Sequence, residues 1–448
     1  MSTQALDLVV IGAGMAGLAA ARKAAAAGKR VAIVDARPYG GTCALRGCDP
    51  KKVLVGAAEL WDWQRRMRGH GVTGEVRIDW AELMTFKRTF TEPIPHRLEK
   101  ELVGLDVRTL HGTVRFTSGS SVQVGEEEFT AGRFLIATGA KPRDLGIPGE
   151  ELVATSTDFL ELDTLPERIV FIGGGYVSFE FAHIAARAGA NVTIAHRSER
   201  PLEAFDPYLV QELVAASEAI GIRVRVHTEV TAVEHRGDHL VARTESGDGL
   251  VADMVVHGAG RVPEIDALDL EAGNIAYYPA RGVRVNAYLQ STSNPRVYAA
   301  GDAADTIGWP LTPVAVHEGL IATSNLLQGN HKVPDYTGTP SVAFTLPALA
   351  RAGLTEEEAN TEGLKFEVNR QNTRGWFTAR RTREANAAYK VLVERESGRI
   401  LGAHLLGMNA GEVIDMFALA IRHHLTARDL KTSVLVHPAA TSDVVYML

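Results

Sequence analysis

The stretch Leu6-Asp-Leu-Val-Val-Ile11-Gly12-Ala-Gly14-Met-Ala-Gly17 decides the fold. Leu6–Ile11 is apolar along nearly its whole length, as a strand covered on both faces must be. Three glycines follow at G-x-G-x-x-G spacing, and the alanine-rich run after them predicts a helix to about Ala27, with Gly28 as its stop. Val31–Val34 predicts the next strand, and Asp35 ends it, 23 residues after Gly12. Each glycine has a task in such a unit. Gly12 makes the tight turn, Gly14 lets backbone approach a pyrophosphate, and Gly17 lets helix and sheet pack closely. The helix N-terminus favours phosphate anions, and Asp35 can hydrogen-bond ribose hydroxyls. A glycine string alone is often only a turn. Strand, helix and acid together make this one a dinucleotide fingerprint.

The same plan recurs about 160 residues later. Arg168–Ile172 predicts a strand, Gly173-Gly-Gly175-Tyr-Val-Ser178 a turn, Phe179–Ala188 a helix and Asn191–Ala195 a second strand. Two dinucleotide sites follow. The second site departs from the first in two ways: Ser178 stands for the third glycine, and the strand runs into His196-Arg197 instead of an acid. An acid there would repel a 2′-phosphate, whereas Arg197 and Arg200 can pair with one, so NADPH is expected over NADH. The plainer reading of these arginines is an exposed basic loop.

A nicotinamide site and a flavin site on one chain imply hydride transfer between them. The chain's two cysteines, Cys43 and Cys48, then have a partner. They lie five positions apart, a loop too short for a bridge to constrain much of the unfolded chain. No third cysteine or nearby histidine completes a metal set. A redox disulfide that accepts electrons from flavin, attacks a substrate with one thiol and resolves with the other accounts for the pair. Such chemistry needs a thiolate, and Lys51-Lys52, directly after Pro50, are expected to supply a positive field; an exposed helix start is their bland reading.

At 448 residues the chain must hold several domains. The expected architecture is α/β: two Rossmann-like dinucleotide-binding domains, the first in two parts at 1–150 and 265–337 and the second at 151–264, and a C-terminal α+β domain at 338–448. Short alternating segments at Val122–Val124 and Arg133–Ile136 suggest an antiparallel insertion. In the last part, strands are expected near 341–344, 364–368, 388–395 and 400–406, and a helix at Ala410–His423. The net charge of −7 argues against nucleic acid as partner. No apolar run of about 18 residues offers a membrane span. With the first strand beginning at Leu6, no leader is expected, and the cytoplasm is the expected compartment.

At this point the chain resembles the flavoprotein disulfide reductases of the glutathione reductase and dihydrolipoamide dehydrogenase type, over essentially its full length. The residues that carry the resemblance are Gly40-Gly-Thr42-Cys43-Ala-Leu-Arg-Gly47-Cys48-Asp-Pro50-Lys51-Lys52, Ala137-Thr138-Gly139, Gly173–Glu180, Gly258-Ala-Gly260-Arg261-Val-Pro263, Val297–Asp302, Leu311–Ala315, Ala343–Pro347 with Gly353-Leu-Thr355, and His437-Pro438. The resemblance implies that 1–150 and 265–337 form an FAD domain, 151–264 an NAD(P)H domain and 338–448 a dimerisation domain, that Cys43 is the interchange thiol and that Cys48 is the thiol beside the flavin. It implies a Lys51–Glu180 ion pair near the flavin N5, Tyr176 as a cover for the nicotinamide pocket, and Asp302 on the ribityl chain. Thr42, Thr138, Gly139 and Arg261 join the expected cofactor-binding set, beside Gly173 and Gly175 of the second fingerprint. It also implies a homodimer in which His437 crosses to the other subunit as general acid–base, a role for which imidazole has the right intrinsic pKa.

Three departures fall on the substrate side. The family usually has Glu five places after the histidine; here Ser442 stands there and Asp443 follows, so either Asp443 takes the role or His437 lacks a carboxylate. Leu45-Arg46 replaces the usual Asn and apolar residue, and Arg46 is expected either to stabilise a Cys43 thiolate or to bind an acidic substrate. Arg22 matches a substrate-binding arginine of the glutathione enzymes, but Leu320 stands where they carry a second one. The absence of a C-terminal cysteine pair speaks against mercuric reductase and the large thioredoxin reductases, and Arg197 against an NAD-specific lipoamide dehydrogenase. The expected substrate is a small, anionic disulfide. Quinones, metal ions or oxidants as acceptors, or a low-turnover redox sensor, are the alternatives.

Overall fold

The computed structural model describes residues 6–448, which form two compact units. The first comprises Met1–Pro50, Lys87–Arg143 and Arg261–Tyr336. Its sheet is built outward from Leu6–Ile11, which pairs in parallel with Val31–Asp35 on one side and with the end of Glu127–Ile136 on the other. Arg108–His111 and Val297–Ala299 extend the parallel part. The strand Glu127–Ile136 serves two sheets: its first half turns antiparallel onto Ser121–Val124, which pairs with Val114–Ser118. Of the two segments expected in an antiparallel insertion, Val122–Val124 lies there, whereas Arg133–Ile136 belongs to the parallel sheet. The buried faces are lined by Leu8, Val10, Ile33 and Leu135 on one side and Val9, Ile11, Val34 and Phe134 on the other, as the unbroken apolar strand requires.

The second unit comprises Lys51–Phe86, Asp144–Gly260 and Thr337–Leu448. Its parallel sheet runs Arg223–Arg225, Asn191–Ala195, Arg168–Ile172, Met254–His257, with a three-stranded antiparallel sheet formed by 230–252. The C-terminal part is a five-stranded antiparallel sheet, ordered 341–343, 348–353, 400–407, 388–394, 366–372, against which the helix Ala410–Arg422 packs. Four of its strands and the helix lie close to where alternation places them. The fifth, Ala348–Gly353, was not expected. Its sequence Ala-Leu-Ala-Arg-Ala-Gly favours helix by propensity. Two neighbours that hydrogen-bond to it, Ser341–Ala343 and Ile400–Gly407, override that preference.

Candidate active site

In the first unit the glycine turn is shaped as its spacing demands. Gly12 has φ +105°, and a Cβ there would lie 2.3 Å from the Ala137 carbonyl oxygen. At Gly17 a Cβ would come within 1.9 Å of the Gly12 carbonyl. Gly14 is the N-cap of the helix Met15–Ala26, and a Cβ on it would meet nothing nearer than the Gly41 Cα at 3.9 Å. Space is therefore left where a phosphate approaches. Asp35 accepts from the backbone N–H groups of Ala13, at 2.8 Å, and Arg37, at 2.9 Å, so it braces the turn.

Two further features fit a bound dinucleotide. The Thr138 hydroxyl is buried with no hydrogen-bond partner, a polar atom awaiting a ligand. Burial raises the Asp302 carboxyl, with the Arg261 charge opposing. Glu318 holds the turn that carries Asp302. Its carboxylate accepts from the Gly301 N–H at 2.7 Å, the Thr306 hydroxyl at 2.8 Å and the Tyr336 hydroxyl at 2.5 Å. These three partners make Glu318 a brace for the turn.

The redox loop starts at Gly41, φ +64°, pressed so closely on the glycine turn that a Cβ would sit 2.6 Å from the Gly14 Cα. Thr42–Arg46 then makes a single π-helical turn, a geometry common at functional sites. Leu45 is buried and packs on Gly40, which explains an apolar residue between the cysteines. Cys48 opens the helix Cys48–Met67, where a thiolate gains from the helix dipole. Both cysteines are thiols, and they hydrogen-bond to each other. Cys48 Sγ also lies 3.4 Å from the Thr312 Oγ1 at the start of the helix Thr312–Gln328.

This arrangement couples the two sulfurs. The Cys43 thiol is held far above the usual cysteine range, first by its hydrogen bond to Cys48, then by burial and the charge on Cys48. Thr312 opposes this, and Asp49 adds to it. The two thiols therefore titrate as one coupled pair, in which the second ionisation is strongly opposed by the first. Thr312 was missed as a site residue, although the Leu311–Ala315 stretch had been singled out.

In the second unit, Lys51 donates to both oxygens of Glu180 at 2.8 Å each. Glu180 also accepts from the Phe344 N–H at 2.8 Å, and Lys51 Nζ lies 4.8 Å from the centre of the Phe344 ring. The expected ion pair is thus present. The expected free field from the two lysines is not, because Lys51 is neutralised by Glu180 and Lys52 pairs with Glu59 at 3.1 Å.

The second glycine turn tolerates Ser178 for a physical reason. A Cβ on Gly258 would lie 1.9 Å from the Ser178 Oγ, so the small residue has moved to the facing chain. Gly173 keeps the turn, with φ +98°, and Gly175 caps the helix Tyr176–Arg187. Tyr176 is 44% exposed at that helix start. His196 Nδ1 accepts from the Gly174 N–H at 3.1 Å, so its Nε2–H donates to the Arg200 carbonyl at 2.9 Å. This ties the basic loop to the turn. Arg200 has a buried Nε with no partner, and Arg197 is exposed.

At the C-terminus His437 is exposed, in a segment whose Val434 and Val436 are also open. Ser442 does not reach it. Its hydroxyl donates to the Ala439 carbonyl at 2.6 Å and caps the last turn. Asp443 is the group that senses His437; burial raises its carboxyl, while Thr378 and His437 pull it down.

Two arginines depart from expectation. Arg22 is held by Glu101 in a two-pronged contact, at 2.6 and 3.0 Å. The charged neighbours of Arg46 are Arg37, Asp35, Glu264 and Arg261, not the cysteines. Neither arginine is presented to a substrate at Cys43.

Comparison with known proteins agrees with this geometry. Residues 6–319 match the pyridine nucleotide-disulphide oxidoreductase family and residues 339–448 its dimerisation domain. The chain is 31% identical to a glutathione reductase of Nostoc sp., covering 98% of this chain and 99% of that one. It is 33% identical to a mercuric reductase of Staphylococcus aureus, over 95% of this chain and 79% of that one. The Cu(II) complex of the HOCl-induced flavoprotein disulfide reductase RclA from Escherichia coli superposes with a TM-score of 0.90, at 26% identity, covering 99% of each chain. Among the described residues no helix is long and apolar enough to cross a membrane. The chain belongs to the pyridine nucleotide-disulphide oxidoreductase family and is an NAD(P)H-dependent flavoprotein disulfide reductase.

Proposed function

We propose that this enzyme takes electrons from NADPH and, through FAD and the Cys43–Cys48 pair, reduces a small disulfide of low negative charge. Bound FAD supplies the two-electron step between the nicotinamide and the disulfide. Gly12, Gly14, Gly17, Asp35, Thr42, Thr138, Gly139, Arg261 and Asp302 are the residues that would hold it. The Lys51–Glu180 pair would serve the hydride step, and Tyr176 would cover the nicotinamide.

The observation that carries the reading is the contact of the two sulfurs, Cys43 hydrogen-bonded to Cys48 and Cys48 placed on Thr312 at 3.4 Å. In the dithiol state Cys43 gives its proton to His437 and attacks one sulfur of the acceptor. The acceptor's S–S bond breaks, and its leaving thiolate takes the proton back from imidazolium. Cys48 thiolate then attacks Cys43, closing the disulfide and releasing the second half of the acceptor as a thiolate. His437 would act across a homodimer interface, with Asp443 as its carboxylate. NADPH is supported by the exposed Arg197 and the unpartnered Nε of Arg200.

An anionic acceptor loses its support. Arg22 is held by Glu101, the charges around Arg46 include Asp35 and Glu264, and Asp49 puts a carboxylate near Cys43. The test is a steady-state panel of neutral, cationic and anionic disulfides with the wild type and Cys43→Ser. Reduction of the preferred disulfide falls to background in Cys43→Ser; full activity in that variant defeats the proposal.

A second reading has its own support. The relatives include mercuric reductases, and the neighbouring RclA structure is a Cu(II) complex. Under this reading the dithiol reduces a metal ion. The same panel extended with Hg(II) and Cu(II) salts separates the two by kcat/KM.

A further inference from the structure

We propose that Arg46 binds the diphosphate of the FAD carried by the first unit, so that the redox loop itself supplies a cation to the cofactor. Arg46 ends the π-helical turn Thr42–Arg46, and that turn is pinned to the glycine turn by the Gly41–Gly14 approach. The side chain therefore starts beside the helix N-terminus at Gly14, where a diphosphate is expected. Its charged neighbours lie around the dinucleotide fingerprint: Asp35, Arg37, Glu264 and Arg261.

The acids among these neighbours are not waiting for Arg46. Asp35 is taken by the two backbone N–H groups, and Glu264 pairs with Arg37 at 2.5 Å. Arg261 donates to the Ala140 carbonyl. Arg46 itself has no hydrogen bond or ion pair among the described residues and is half-buried. Burial and the Arg37 charge pull its guanidinium below the usual arginine range, the mark of a cation set in a positive, partly dry place. With Asp302 also facing Arg261, three arginines meet three carboxylates, and Arg46 is the arginine among them left without a hydrogen-bonded partner. A diphosphate answers it, because the guanidinium fork matches phosphate oxygens in pairs. Placing the arginine between the two cysteines also gives the loop a contact with the cofactor whichever redox state the sulfurs are in.

The experiment uses the purified holoenzyme. Flavin release is followed by fluorescence on dilution, and the bound diphosphate by 31P NMR, for the wild type, Arg46→Gln and Arg46→Lys. Loss of one charged hydrogen-bonding group predicts release about 10- to 100-fold faster in Arg46→Gln, with displaced 31P resonances. Arg46→Lys falls between, because it keeps the charge and loses the fork. Wild-type release and unchanged 31P shifts in a folded Arg46→Gln overturn the proposal. So does a change confined to KM for the acceptor, which returns Arg46 to the substrate. A lowered Tm with unmoved 31P shifts also overturns it, leaving Arg46 a structural charge only.

Discussion

Lys51 and Glu180 form a closed pair, with two hydrogen bonds of 2.8 Å, and are 8% and 1% exposed. Removing one member leaves a buried charge without its partner, which typically costs about 3–5 kcal/mol. Glu180→Ala should therefore lower Tm strongly, and the double variant Lys51→Met/Glu180→Met should recover most of that loss. Under the proposed role both variants lose the fast hydride step in stopped-flow with NADPH. Recovery of that step along with stability would make the pair merely structural.

Thr312 should set the acidity of Cys48. Thr312→Val deletes a hydroxyl 3.4 Å from the sulfur, a contact worth about 1 kcal/mol. The thiolate of the two-electron-reduced enzyme should then appear at a pH about one unit higher. A pH titration of thiolate absorbance reads the shift.

Asp49 should act in the opposite sense on Cys43. Its charge holds the Cys43 thiol up, so Asp49→Asn lowers that thiol's pKa. Alkylation of NADPH-reduced enzyme by iodoacetamide at neutral pH becomes faster, and kcat/KM for anionic disulfides rises relative to neutral ones. An unchanged ratio would remove Asp49 from acceptor selection.

The cofactor preference rests on Arg197 and Arg200. Arg197→Ala should raise KM for NADPH about tenfold or more and leave KM for NADH unchanged, since only the 2′-phosphate loses a partner. Equal effects on both cofactors contradict the assignment.

Acid sensitivity should come from two buried histidines of the second unit. Burial pushes His404 down to about 4, and His183 well below its ordinary 6.5. The unfolded chain takes up protons on these groups as pH falls through about 6.5, while the folded chain does not. Their neutral burial therefore favours folding above pH 6.5, and that contribution is lost as pH falls toward 4. His404→Asn should flatten Tm against pH across that window.

Much of this was legible because glycine spacing is a geometric requirement. The turns at Gly12 and Gly173 follow from backbone contacts that exclude any Cβ, and sequence shows them directly. The Lys51–Glu180 pair came only through family resemblance, as the two residues are 129 positions apart. Arg22 shows that a sequence does not tell where a long side chain spends its charge. Glu101, 79 residues beyond Arg22, decides that case. The strand Ala348–Gly353 was hidden by its own helix propensity. Thr312 and Glu318 matter through partners distant in sequence, and nothing at their own positions announced it.

The central claim is that Cys43 and Cys48 cycle between disulfide and dithiol. Anaerobic titration of the purified holoenzyme with NADPH tests it most directly. The account predicts a long-wavelength absorption band that is complete at two electrons, from Cys48 thiolate beside oxidised flavin; Cys48→Ser lacks it, and Cys43→Ser shows it before NADPH is added and loses it as two electrons bleach the flavin. Bleaching of the flavin at two electrons with no such band, and no new thiols on alkylation, would contradict it.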